Sequence, residues 1–212
     1  MNAPDDLRIA GRKTVGDWKV LRRRLEGSND RDLWTVVFDD FFKARLESRY
    51  FKPIRTLEAM RAYDGEGFAI VALQCSLIEF LASTLSGKSY RHRRENDPPL
   101  EKYEYSKSGK VFTGFLRTQM PFRESFPTKD SASDFYKNVR CALFHEARTR
   151  NGWRIRADGN PRTPVDAEAR IVYRHKMGAA FDAFTGWYGE QLQIAPELQA
   201  AFLRKFDSLC VE

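Results

Sequence analysis

The stretch from Phe68 to Leu85 is the most apolar in the chain, and at this length it is about long enough to span a bilayer. Gln74 and Glu79 interrupt it, and a carboxylate near the middle of a single span is expensive. The stretch therefore reads as a helix buried in protein, with no membrane partner. Gly65 and Gly67 punctuate its entry and Gly87 closes it as a C-cap. Glu79 stands among apolar neighbours, where an unpaired charge is costly, so it needs a partner; Arg140 is one candidate.

Such a helix must be enclosed by the rest of the chain. With 212 residues, 42% hydrophobic and 13% aromatic, folding can bury roughly 70% of the unfolded surface, enough for one domain with a full core. Thr14 and Asp17 form a capping box for a helix over 15–26, which Gly27 ends. Asn29 and Asp30 cap a longer pattern, from Leu33 and Trp34 through Phe41 and Phe42 to Leu46, that Pro53 interrupts; a short helix follows from Pro53 to Tyr63. Lys88 to Lys110 is polar, contains Pro98-Pro99 and reads as a loop, with one short helix from Val111 to Leu116 after it. Asp130 or Ser131 caps a helix to about Arg148. Trp153, Ile155 and Ala157 alternate with arginines before Asp158-Gly159, which suggests a β-hairpin over about 153–173 with Ile171 and Tyr173 on its return. Helices over about 174–190 and 196–208 finish a mostly α single domain, a helical bundle whose core helices occupy about 29–148, with a small β-hairpin insertion.

The chain carries 36 basic and 29 acidic residues, a net charge of +7, which favours an anionic partner at encounter. Arg outnumbers Lys by 24 to 12, and the guanidinium fork matches phosphate oxygens. Cys75, Cys141 and Cys210 are widely separated and form no C-x-x-C pair, so neither a disulfide framework nor a thiolate zinc cluster is legible, and a reducing cytoplasm is the expected location. The first ten residues hold Asp5, Asp6 and Arg8 and lack the apolar core of a signal peptide.

The three histidines, His92, His145 and His175, form no H-x-x-x-H pair, and no carboxylate pattern resembles a calcium loop, so neither a metal nor a cofactor is expected. Ser86-Gly87-Lys88-Ser89 looks like the tail of a phosphate loop, but Ala82 stands where the earlier Gly belongs and a helix precedes it, so it reads as a helix cap. Arg91, Arg93 and Arg94, with the rings of Tyr90 and His92 between them, are candidate phosphate contacts in a loop that could equally be a solvated charge run.

The helix ending near Arg148 holds Asn138-Val139-Arg140-Cys141-Ala142-Leu143-Phe144-His145-Glu146-Ala147. At about 100° per residue Arg140 and His145 lie about 140° apart, flanking a stripe of Lys137, Cys141 and Phe144 while Val139 and Leu143 face the core. A single copy splays the pair. Two such helices packed through the stripe around a two-fold axis would bring the Arg of one chain toward the His of the other. A second R-x4-H, Arg170 with His175, spans a strand-to-helix junction and reads as coincidence.

This arrangement resembles the HEPN superfamily, small helical domains many of which are dimeric RNases with an R-x4-6-H motif late in a core helix. The similarity covers the helices from about Phe68 to Arg148 in outline and is sharp from Asn138 to Ile155, including Thr149 and Gly152-Trp153-Arg154-Ile155. Where the family often has a polar residue after the Arg, this chain has Cys141. The resemblance implies a homodimer that cleaves RNA without a metal, as a toxin or anti-phage effector beside a neutralising antitoxin or defence-system partner.

Such chemistry uses the substrate's 2′-hydroxyl as nucleophile. It needs a group that exchanges a proton near neutral pH and a fixed positive charge on the anionic transition state. His145 and Arg140 are the candidates for these roles. Asn138 could orient a phosphate, Glu146 fix the His145 tautomer, and Arg148 extend the basic surface; each also reads as an ordinary helix residue. Two alternatives stand beside this reading: a non-catalytic HEPN module that binds nucleotide or RNA or mediates dimerisation, and a DNA-binding regulator, for which no helix-turn-helix pattern is present.

Overall fold

The computed structural model describes residues 3–26, 28, 30–60, 64–159 and 162–211. In chain order the elements are β1 (Arg8–Ala10), β2 (Lys13–Thr14), α1 (Val15–Leu25), α2 (Arg31–Val37), α3 (Ala44–Leu46), α4 (Lys52–Met60), α5 (Glu66–Ser86), β3 (Ser89–Tyr90), β4 (Glu104–Tyr105), α6 (Ser108–Thr118), α7 (Lys129–Phe135), α8 (Ala142–Glu146), β5 (Arg154–Arg156), β6 (Val165–Asp166), β7 (Ile171–Tyr173), α9 (Arg174–Leu192) and α10 (Pro196–Ser208). The protein is mostly helical with small sheets of two or three strands, as the periodicity predicts. It forms two compact units: one from 1–53, 83–106 and 186–212, the other from 54–82 and 107–185.

The capping box at the start of α1 is formed as expected, with the Asp17 amide donating to Thr14 Oγ1 at 3.2 Å and the Thr14 amide to Asp17 Oδ2 at 2.8 Å. Asp30 caps α2. The expected roles of Gly27 and Asn29, and the last turn of the helix expected to reach Tyr63, lie outside the described residues. Pro53 does not interrupt the second helix. Helical backbone runs from Arg31 to Met60, with wide π turns at Phe38–Lys43 and Glu47–Phe51. The second of these precedes Pro53, and a widened turn is where a helix can absorb an imino residue that neither donates nor fits the ordinary ladder.

In the first unit the rings of Trp18, Phe41, Phe42, Tyr188, Phe202 and Phe206 make the core; Phe202 stacks on Phe206 at 4.2 Å, and Trp18 Nε1 donates to Asp207 Oδ1 at 2.8 Å. Gly87 ends α5 in the left-handed region at φ +60°, and a Cβ there would fall 2.7 Å from the Ala201 carbonyl oxygen, so the position requires glycine on both counts. The segment expected to be loop contains a short parallel ladder of β3 and β4.

In the second unit the Phe135 ring meets Phe112, Phe126 and Trp153 at 5.2–6.1 Å. The motif helix is one helical run from Lys129 to Glu146, α7 and α8 joined by a π turn at Tyr136–Cys141. Its cap is Thr128, in a reciprocal pair with Ser131, rather than Asp130 or Ser131. It ends at Glu146, because Ala147 takes the left-handed conformation at φ +54°, so Arg148 lies beyond it.

The expected 153–173 hairpin is replaced by a three-stranded sheet of order β5-β7-β6. β5 pairs with β7 in parallel, Ile155 opposite Val172, and β6 pairs with β7 antiparallel, Val165 opposite Val172. The expected Asp158-Gly159 turn is not formed as a tight hairpin turn, and the tight return lies between β6 and β7, where Asp166 Oδ1 accepts the Ala169 amide at 2.8 Å and Arg170 sits at φ +56°.

Asp134 ties the motif helix to the sheet. Its carboxylate accepts from Asn138 Nδ2 at 2.7 Å, Asn151 Nδ2 at 3.2 Å and Trp153 Nε1 at 2.7 Å. Asp134→Ala should lower stability by about 2 kcal/mol or more in urea unfolding, because it strands a partly buried indole N–H and an amide. A loss below about 0.5 kcal/mol would show that solvent replaces these bonds.

Candidate functional site

Arg140 projects from the π turn of the motif helix, a distortion often found at functional sites. Its Nη2 lies 3.0 Å from Glu79 Oε2 on α5, with side chains only 21% and 18% exposed. The half-buried carboxylate of the apolar helix thus has the partner that its surroundings require. Tyr136 and Phe144, four residues to either side on the helix, place their rings 5.6 and 4.8 Å from the guanidinium carbon. Burial works most strongly against the Arg140 charge, but Glu79, Tyr136 and Cys141 together outweigh it and the pKa rises above the ordinary guanidinium value. Arg140 Nε is buried without a hydrogen-bond partner.

Tyr136 also shares a 2.8 Å hydrogen bond with Ser108, and burial raises its phenol pKa. Tyr136 is not among the candidates that the sequence suggests, although its four-residue spacing from Arg140 is a signal that marks it. Val139 and Leu143 are buried, Cys141 is half-buried, and Lys137 and Phe144 are exposed to different degrees, in keeping with the helical wheel.

His145 is exposed on the last turn of α8, with no hydrogen bond among the described residues. Glu146 does not orient it. That carboxylate accepts Arg148 Nε at 2.8 Å and Arg150 Nε at 3.1 Å, and Arg150 Nη2 also closes on it. Arg148 is therefore an exposed cation already paired with Glu146. Asn138 is buried: its side chain donates to Asp134 and its carbonyl accepts the Arg150 amide at 2.8 Å, so it braces the helix instead of facing a phosphate.

Arg91, Arg93 and Arg94 belong to the other unit. Arg91 is an internal tie, with Nε 2.7 Å from Glu104 and Nη2 donating to the carbonyls of Pro98 and Pro99 at 3.0 and 2.7 Å. Arg93 and Arg94 are exposed. The second R-x4-H pair straddles β7 and α9, as its sequence context predicts, and His175 faces Glu58 at 3.7 Å. No group of three or more His, Cys, Asp or Glu able to hold a metal occurs among the described residues. α5 is long and apolar enough to cross a membrane, yet 61% of its most apolar window is buried inside the protein.

Compared with protein-family models, curated proteins and solved structures, the chain matches none. A half-buried guanidinium is fixed by a carboxylate and two rings, and an exposed imidazole lies one turn farther along the same helix.

Glu79→Ala should cost about 1.5–3 kcal/mol in chemical denaturation, and Glu79→Ala with Arg140→Ala less than the two single losses summed, since either single change strands a charge. Additive losses would mean that the pair contributes no coupling. Thiol titration offers a second check. Burial pushes Cys75 up to about 12 and Cys210 up to about 11, so both remain protonated and shielded near pH 8. One thiol, Cys141, should react with Ellman's reagent in the native chain and three after denaturation. Fast reaction of a second native thiol would contradict this packing.

Proposed function

We propose that the chain is a metal-independent endoribonuclease of HEPN type, acting as a homodimer whose facing motif helices form two composite clefts. The observation that carries this reading is the state of Arg140: a charge held in a fixed direction by Glu79 and by the rings of Tyr136 and Phe144, but not sealed from solvent. A preorganised cation of this kind stabilises charge that develops on non-bridging phosphate oxygens without reorganising during the reaction. In this reading His145, which is exposed on the following turn, exchanges a proton with the 2′-hydroxyl or the departing 5′-oxygen. Phe144 and Lys137, on the stripe between the two residues, form the surface that a second copy would cover. Attack by the 2′-hydroxyl on phosphorus expels the 5′-oxygen and leaves a 2′,3′-cyclic phosphate end. DNA, with no such hydroxyl, is spared. A neutralising antitoxin or defence-system partner, and a place in the cytoplasm, belong to the same proposal.

The ion pair with Glu79 also favours a second reading, a non-catalytic module in which Arg140 is a structural tie and RNA or nucleotide is bound without scission.

Incubation with RNA in excess chelator separates the two. Wild type should yield fragments with cyclic phosphate ends, and His145→Ala and Arg140→Ala should each cleave at least a hundredfold more slowly, within the usual range for loss of an acid-base or charge-stabilising group. Glu79→Gln should reduce cleavage less than Arg140→Ala, since it loosens the guanidinium but retains it. Cleavage by His145→Ala at the wild-type rate would remove the proposed mechanism.

A further inference from the structure

The β3 and β4 ladder sets up a different surface, wholly within the first unit. Ser89 lies opposite Glu104 and Tyr90 opposite Tyr105 in parallel register, and the Ser89 amide donates to the Tyr103 carbonyl at 2.9 Å. In a parallel pair, opposed residues share a face and residues two apart along one strand share it again. Tyr90 and Tyr105 therefore fall on one side, and Tyr103, in the turn just before β4, is held next to β3 through its carbonyl. Tyr90 and Tyr105 meet edge to face at 5.6 Å; Tyr105 is buried beneath, while Tyr90 is 54% and Tyr103 38% exposed.

Two large rings are thus left partly open on this loop, and the neighbours of Tyr103 include cations. The Arg204 guanidinium lies 4.1 Å from the centre of the Tyr103 ring, and Lys102 Nζ 5.2 Å from it. Arg204 Nε is buried without a hydrogen-bond partner, and no carboxylate comes within ion-pair distance of Arg204 among the described residues. Arg93 and Arg94 follow Tyr90 by three and four residues, exposed and, among the described residues, without carboxylate partners for their guanidinium groups. Glu95 and Glu101 are the exposed acids of this loop; Glu104 is taken up by Arg91 and Asp97 accepts the Arg94 amide. The balance is positive, with Arg204 and Lys102 against the Tyr103 ring and Arg93 and Arg94 exposed in the loop that follows Tyr90.

We infer that Tyr90 and Tyr103 form a stacking platform for the bases of a single-stranded nucleic acid, with Arg93, Arg94 and Arg204 neutralising its phosphates. A duplex hides its base faces, so it gains only the phosphate contacts. A single strand gains both, and stacking tolerates any sequence because every base has a π face. Arg91 does not join the phosphate contacts, because its donors hold the loop that presents the rings. That the bound strand is RNA rests on the nuclease reading; the platform itself is indifferent to the sugar.

The test uses the full chain and a fluorescent 2′-O-methyl RNA of about twelve nucleotides, which a 2′-hydroxyl mechanism cannot cut, with anisotropy as readout. Wild type should bind this strand and a DNA strand of the same sequence comparably, and the matching duplex at least tenfold more weakly. Tyr90→Ala with Tyr103→Ala should weaken single-strand binding at least tenfold, and Tyr90→Phe with Tyr103→Phe should bind within about twofold of wild type, because the rings remain. Unchanged binding by the alanine pair, or a duplex bound as tightly as a single strand, overturns the platform. Binding that matches these expectations in a chain that never cuts RNA retains the platform and removes the nuclease. Cutting by a chain whose alanine pair binds normally does the reverse.

Discussion

Burial of polar groups on α5 organises the second unit. Apolar contact is non-directional and would let this helix rotate or slide among its neighbours. Glu66, Gln74 and Glu79 do not allow that. Glu66 Oε1 lies 3.3 Å from both terminal nitrogens of Arg174, with the two side chains 6% and 5% exposed; Gln74 Nε2 donates to the Arg174 carbonyl at 2.8 Å, and Glu79 meets Arg140. Each group costs several kcal/mol if it is left wholly unmatched, so a register that gives both carboxylates a guanidinium and the Gln74 Nε2 an acceptor is favoured, although Gln74 Oε1 stays without a hydrogen-bond partner. The start of α9 and the middle of the motif helix are thereby set against α5. The candidate site inherits its geometry from that requirement, because Arg140 is at once a counter-ion for the core and the cation of the proposed cleft.

Wide helical turns are the second organising feature. They occur at Phe38–Lys43, Glu47–Phe51 and Tyr136–Cys141, always inside a longer helical run. One extra residue in a turn rotates the remainder of the helix while leaving apolar residues at three- and four-residue steps, so periodicity alone cannot reveal it. Pro53 is tolerated in the long helix through one such turn, and Arg140 emerges from another. A strained or widened backbone at the site is the kind of local departure that consistent packing elsewhere can support.

The site was partly legible. The pairing of Glu79 with Arg140 comes from asking what a lone carboxylate needs in an apolar helix, and the inward face of Val139 and Leu143 comes from the wheel. The neighbours of His145 were not legible. Glu146 stands next to it in sequence but turns to Arg148 and Arg150, because the left-handed Ala147 folds the chain back over the helix end. Asp134 carried no sequence signal as the acceptor for Asn138, Asn151 and Trp153, since two of those donors lie 17 and 19 residues away.

Nearest neighbours along the chain are enough to set the helical segments, the caps at Thr14 and Gly87, the buried faces, and the need of Glu79 for a cation. Those depend on spacing and on local backbone chemistry, which a few consecutive residues express completely. Tertiary structure alone decided that β5 runs parallel to β7 and that Arg91 is an internal tie while Arg93 and Arg94 stay exposed. It also decided that Tyr90 meets Tyr105 across the β3 and β4 ladder. Each of these joins residues separated by more than ten positions or selects among several equally charged candidates. Such choices depend on which buried polar groups can find partners together, a condition that belongs to the folded chain as a whole.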